Sequence, residues 1–185
     1  MTSQSDNQIM LKVRDGYLDH LSILFERYQK MLFNFFLRLT KNRAISEDLV
    51  QEVFLRILKY RHTYRGDGKF TNWMFHISRN AHFDYCKKQN REQPLTEYEP
   101  EHVSHDLNPD VKLEETQDVD LLRLALNKLS LKKREVLILS RFHNMKYEDI
   151  AEIQECQVGT IKARVHRAIK ELRNIYFELS GENAS

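Results

Sequence analysis

Apolar residues recur at helical spacing along most of the chain, and long strand-like alternation is absent. Over residues 6–15, Ile9, Met10 and Val13 mark one short helix ending before Gly16. A longer helix is predicted over 18–41. Its Leu24, Phe25, Tyr28, Leu32, Phe33, Phe35, Phe36 and Leu39 are more than one stripe holds, as in the central helix of a bundle. Ser46 is the expected N-cap of a third helix reaching Tyr60, with Glu47 and Asp48 in its first turn. There Leu49, Val53 and Ile57 form one apolar row and Val50, Phe54 and Leu58 another, leaving Asp48, Gln51, Glu52, Arg56 and Lys59 outside. A loop with Gly66 and Gly68 precedes a helix over 70–88. Periodicity is lost after Arg91 and returns near Glu115, with helices over 119–129 and 132–142 and a final pair.

That final pair, over 147–172, carries the sharpest signal. Ile150, Ala151 and Ile153 give a short stripe, a polar turn intervenes, and Val158, Ile161, Val165, Ile169, Leu172 and Ile175 give a second. The opposite face of the second helix holds Gly159, Thr160, Ala163, His166, Arg167 and Lys170. This is the pattern of a helix-turn-helix. One side of its second helix is buried while small and cationic residues face a major groove. Arg164 and Arg173 fit phosphate contacts, which position without specifying.

The 62–88 stretch suggests a different nucleic-acid surface. Arg65 and Lys69 lie in the glycine loop, and Trp73, Phe75, Ile77, Ala81 and Phe83 interleave with His76, Arg79, Asn80, His82 and Lys87. Single-stranded DNA needs cations for its phosphates and aromatic or amide groups for unstacked bases. Most of these aromatics also suit a core, and Trp73 is expected to be buried.

Charge divides the chain in the same places. Residues 1–91 carry 16 Lys/Arg against 9 Asp/Glu, residues 92–120 carry 1 against 10, and residues 121–185 carry 12 against 8. Two basic bodies joined by an acidic strap suggest two nucleic-acid-facing domains, and the strap alone reads equally as a solvated linker. Pro94, Pro100 and Pro109, all the prolines of the chain, lie in the strap. The expected organisation is all-α: an N-terminal bundle over 1–91, a flexible acidic linker over 92–116, and a C-terminal helix-turn-helix bundle over 117–185.

Several functions are excluded or unsupported. No apolar run approaches the roughly 20 residues of a membrane span. The polar start does not resemble a signal peptide, so a cytoplasmic protein is expected. Cys86 and Cys156 form no CxxC pair, and His82 with Cys86, or His102 with His105, lacks a third metal ligand. Residues 66–68 lack the rest of a phosphate-cradling loop. No catalytic residue, cofactor or metal is expected.

Three stretches in order, residues 46–58, 64–85 and 129–172, resemble bacterial sigma factors of the extracytoplasmic-function group in the sigma-70 family. The resemblance implies that Asp48, Gln51 and Glu52 dock on core RNA polymerase, though on residues alone they equally form a solvated polar face. It implies that Tyr64, Lys69, His76, Asn80 and Asp84 capture the unpaired nontemplate strand of the minus-ten element. An amide such as Asn80 can read a Watson-Crick edge. His76 and Asp84 stand where the family varies. Lys162, Ala163, His166 and Arg167 are implied as contacts to duplex DNA of the minus-thirty-five element. One departure concerns the turn, where the family usually has Gly and this chain has Gln154, Glu155, Cys156 and Gln157, so a non-glycine must accept whatever φ the turn imposes. The resemblance also lends the strap's carboxylates a role as a phosphate mimic within the polymerase cleft.

The leading reading is therefore an initiation factor that binds core RNA polymerase and promoter DNA, and opens the duplex without hydrolysing anything. By the same resemblance an anti-sigma factor is an expected partner, and direct membrane insertion is not expected. The alternative is a free-standing helix-turn-helix regulator of duplex DNA, which leaves residues 1–91 without a purpose.

Overall fold

A computed structural model describes residues 4–92 and 117–181, and these form helices and turns as the apolar spacing predicts. The chain divides into two compact units, Met1–Glu99 and Pro100–Ser185. The first contains α1 (Asp6–Arg14), a 3-10 turn (Leu18–His20), α2 (Leu21–Thr40), α3 (Arg43–Tyr60), a second 3-10 turn (Arg61–Thr63) and α4 (Phe70–Glu92). The second contains α5 (Gln117–Lys128), α6 (Leu131–Leu137), α7 (Tyr147–Ile153) and α8 (Val158–Ser180). The expected acidic linker lies outside the described residues, apart from Glu92 at the end of α4.

Helix α2 is the shaft of the first unit. Leu24, Leu32, Phe35 and Phe36 are essentially inaccessible, while Phe25 on the remaining side is partly exposed. Its rings reach both α3 and α4: Phe25 meets Phe54 of α3 at 4.9 Å, Tyr28 meets Phe70 of α4 at 5.5 Å, and Phe35 meets Phe75 of α4 at 5.2 Å. Each fully buried large apolar side chain stabilises the unit by about 1.5–3 kcal/mol. Helix α1 closes the bundle with Ile9, Met10 and Val13. Its start is secured by a capping box, the Ser5 hydroxyl accepting from Gln8 N–H while the Gln8 side chain accepts from Ser5 N–H.

The α2–α3 hairpin corrects one expectation. Helix α3 begins at Arg43, with Asn42 rather than Ser46 as its N-cap; the Asn42 side-chain oxygen accepts from Ile45 N–H at 3.0 Å. Lys41, at φ +59°, ends α2 in the left-handed region, and extended Asn42 starts α3 immediately. Ser46 lies buried one turn inside, donating to the Asn42 carbonyl at 2.6 Å. The apolar rows of α3 are otherwise found inside, Leu49, Val53 and Ile57 with Val50 and Phe54, while Leu58 at the end of the second row is half-buried.

In the second unit α8 packs against α5, α6 and α7, and α6 is deeply buried at its end. Five successive residues, Glu135 to Leu139, are buried, which a helix achieves only when neighbours cover it on more than one side. It continues into a π-helical turn over Ile138–Phe142, where His143 N–H reaches back to the Ile138 carbonyl. The half-buried Arg134 guanidinium fastens the preceding turn by donating to the carbonyls of Leu126, Asn127 and Leu129 at the end of α5. Burial pushes the Arg134 pKa down. Helix α8 contributes Ile161, Val165 and Ala168.

Replacing Asn42 with Ala removes the α3 cap. The full chain is expected to lose about 1 kcal/mol in urea unfolding; an unchanged midpoint contradicts the capping assignment.

Candidate polymerase and nucleic-acid interfaces

The outer face of α3 is mostly polar, with Leu55 and, at the helix end, Tyr60 as exposed large apolar side chains. Asp48 and Gln51 are exposed, and Leu55, one turn beyond Gln51, is 61% exposed. Leu55 belonged to neither apolar row, and that misfit was the signal of an outward-facing hydrophobic side chain. Glu52 is less independent than a solvated residue. It accepts from Arg56 Nε at 2.6 Å, and the same guanidinium donates to Asp84 of α4 at 2.8 Å. Burial lowers the Arg56 pKa, but the two carboxylate hydrogen bonds outweigh it and raise it overall. Thus one expected polymerase contact and one expected DNA contact belong to a single ion network joining α3 to α4. The network pairs the Asp84 charge with the Arg56 guanidinium.

Along α4 the outward residues include Asn80, Phe83, Asp84, Lys87 and Lys88, with His76 half-buried and Lys69 exposed just before the helix. The Asn80 amide nitrogen lies 3.1 Å from His76 Nε2; its donation requires the imidazole tautomer protonated on Nδ1. These residues share a strip because 76, 80 and 84 are successive i, i+4 positions. His82 departs from the expected polar side: it is buried, 6.4 Å from the Phe36 ring.

Tyr64 is a clear correction to the expected strand-capturing set. Only 4% of it is exposed. Its ring packs between Phe70 at 6.2 Å and Trp73 at 5.0 Å, and its hydroxyl donates to Asn7 of α1 at 2.8 Å. Burial, reinforced by Asp6 and Asp67, pushes its pKa up to about 12, so the hydroxyl stays protonated at neutral pH. Tyr64 supports the surface from beneath. Trp73, expected to be buried, is half-buried over it.

In the second unit, Lys162, Ala163, His166 and Arg167 all lie on the exposed side of α8, together with Gly159, Thr160 and Lys170. Arg167 Nε donates to the Ala163 carbonyl at 3.3 Å, laying the guanidinium along the helix surface. Two details differ from the helical wheel. Ile169 is 39% exposed and Ala168 takes the buried position, because the buried row follows 161, 165 and 168. Arg164 is half-buried and donates to the Gln154 side chain instead of standing ready for phosphate.

Gln154 explains how the turn holds without glycine. Its amide nitrogen donates to buried Glu135 of α6 at 3.0 Å while its amide oxygen accepts from Arg164 of α8. This relay fastens the turn to α6 and α8. The following residue, Glu155, has φ +50°, so the strain expected from the missing glycine falls there. Sequence spacing did not single out Glu135 or Gln154 as partners, since nothing local ties positions 19 residues apart.

Cys86 is half-buried 3.7 Å from His82, and burial raises its pKa, which suppresses thiolate. Among the described residues, no three His, Cys, Asp or Glu side chains gather as a metal site, and no helix is long and apolar enough to cross a membrane.

Comparison with known proteins matches a stretch of each unit. Residues 24–92 match the model of Sigma-70 region 2, and residues 120–172 match that of Sigma-70, region 4. The chain is 29% identical over 178 residues to the RNA polymerase sigma factor CarQ of Myxococcus xanthus, covering 95% of this chain and 99% of CarQ. It is 25% identical over 179 residues to the ECF RNA polymerase sigma-E factor of Haemophilus influenzae, covering 92% and 94%. Among solved structures it resembles the sigma factor RpoE from Bartonella quintana, crystallised with the anti-sigma factor NepR, with a TM-score of 0.67, 27% identity and coverage of 88% and 98%.

Glu155→Gly is expected to raise stability by about 1 kcal/mol by relieving the left-handed strain. Thermal unfolding checks it; destabilisation would mean that the Glu155 side chain contributes more than its backbone costs.

Proposed function

The chain belongs to the sigma-70 family, as one of its extracytoplasmic-function members, and on that premise we propose how its particular residues divide the work of initiation. It is a transcription initiation factor that directs RNA polymerase to promoters. The free-standing regulator falls away, because the region 2 match gives residues 24–92 the purpose that reading lacked.

The observation that carries the residue-level reading is the exposure of three helix faces, those of α3 and α4 on the first unit's core and that of α8 on the second's. Asp48, Gln51 and Glu52 dock the first unit on core polymerase, with Leu55 as a hydrophobic anchor at the centre of a polar rim. Lys69, His76 and Asn80 receive the unpaired nontemplate strand, the cation holding phosphate and the amide reading a base edge. Asp84 acts through Arg56, and Tyr64 supports Trp73 from below. Lys162, Ala163, His166 and Arg167 meet the upstream duplex in its major groove, where Ala163 admits close approach and the cations reach base edges or phosphates. The mechanism is binding energy directed to an opened strand, with no bond broken by this chain. Such a factor works in the cytoplasm beside polymerase and DNA. The resemblance to RpoE, crystallised with NepR, supports an anti-sigma partner.

Adding the full chain to sigma-free core polymerase is expected to yield promoter-specific transcripts and open complexes from a broad promoter pool. Duplex binding without either would overturn the reading. Asp48→Lys and Leu55→Asp are each expected to weaken core association about tenfold or more while leaving unfolding unchanged, since both sites are exposed. Retained core affinity in competition binding would remove α3 from the docking face. Arg167→Ala is expected to weaken upstream-duplex binding by about 1–3 kcal/mol if it reads a base, or to lower the salt slope by about 1 if it meets phosphate. No change in either measurement would take Arg167 out of the interface.

A further inference from the structure

The loop before α4 is held by a residue from the far end of the unit. Asn7, in the first turn of α1, makes three hydrogen bonds through one amide. Its side-chain oxygen accepts from the Tyr64 hydroxyl at 2.8 Å and from Phe70 N–H at 2.9 Å, and its nitrogen donates to the Gly68 carbonyl at 2.7 Å. These partners bracket the loop on both sides. Phe70 N–H is among the first-turn donors that a helix cannot satisfy internally, so Asn7 also secures the start of α4.

Two more α1 residues reinforce the grip. Leu11 packs beneath Gly66, where a Cβ would come within 3.1 Å of the Leu11 side chain and where φ is +79°, so only glycine fits without displacement. Arg14 donates to the Tyr64 carbonyl at 3.4 Å. Asn7, Leu11 and Arg14 follow i, i+4, i+7 spacing on one side of α1. Between the fastened points stand Arg65 and Lys69, both exposed. The loop's polar backbone is thereby shaped before any DNA arrives, which removes an ordering cost from strand capture.

We propose that Asn7 is a positioning residue for promoter opening: it presets the loop over residues 64–70 so that Lys69 and the start of α4 meet the unpaired strand in a fixed geometry. This rests on the reading of Lys69, His76 and Asn80 as the strand-receiving strip. Asn7 itself touches no DNA. A general structural role would weaken every function of the unit, whereas a positioning role weakens strand capture alone.

Holoenzymes assembled with the wild-type chain, Asn7→Ala and Asn7→Asp separate these. Asn7→Asp retains both acceptor contacts, lacks the donor to Gly68, and adds a carboxylate to the first turn of α1, where it favours folding. Affinity is read with a fluorescent single-stranded oligonucleotide carrying the nontemplate minus-ten sequence, beside core affinity and upstream-duplex affinity. Asn7→Ala is expected to weaken oligonucleotide binding about tenfold and Asn7→Asp by less, with core and upstream-duplex binding held within about twofold. Unchanged oligonucleotide binding in Asn7→Ala, or an equal fall in all three affinities, overturns the proposal. Hydrogen exchange at residues 66–70 tests the clamp even if the wild-type holoenzyme does not hold the oligonucleotide, an outcome that would count against the strand-receiving strip. Selective loss of protection there in Asn7→Ala supports the clamp, and full protection overturns it.

Discussion

The aromatic shaft of α2 is the constraint on which the first unit depends. Phe25, Tyr28 and Phe35 contact α3 and α4, and the Tyr28 hydroxyl donates to Asp6 at the start of α1 at 2.5 Å. Because these rings occupy fixed positions along one helix, they set the rotation of the helices packed on them. The buried rows of α3 leave Asp48, Gln51 and Leu55 outside, and burial of Phe70, Met74, Phe75 and Ser78 leaves Asn80 outside on α4. Function in this unit is the complement of its packing. Residues suited to binding are available because their neighbours in sequence are not.

The second unit reaches the same end with polar chemistry. Its turn lacks the glycine that would make a left-handed residue inexpensive, and Glu155 accepts φ +50°. What holds the turn is the Glu135–Gln154–Arg164 relay, two hydrogen bonds through one amide, with Glu135 and Gln154 both buried. A satisfied buried polar network specifies one arrangement because breaking any member leaves a desolvated group behind. The relay also takes Arg164 away from the DNA side, so the outward cations of α8 narrow to Lys162, Arg167, Lys170 and Arg173.

Helix identities, the two rows of α3 and the outward side of α8 were legible because apolar spacing records which face is buried. The errors have one physical source. Ser46, Tyr64, His82 and Arg164 carry polar groups whose partners lie on other elements or across a turn, and periodicity carries no record of such pairings. Ser46 looked like a cap but is buried beside the real one. Tyr64 was expected at the DNA through the family resemblance alone, whereas Asn7, distant in sequence, gives its hydroxyl a partner inside the unit. Leu55 was missed in the opposite sense: it lies outside both buried rows, yet only polar residues were expected on the outer face of α3.

The central claim is that two helix faces, each made by its own core, address different parts of one promoter when core polymerase holds the chain. Photo-crosslinking from positions 80 and 167 in the promoter-bound holoenzyme tests it most directly. The account predicts that a crosslinker replacing Asn80 marks the nontemplate strand of the minus-ten element, that one replacing Arg167 marks the minus-thirty-five duplex, and that the first crosslink requires core polymerase. Both positions marking the same element, or position 80 marking only closed duplex, would contradict it.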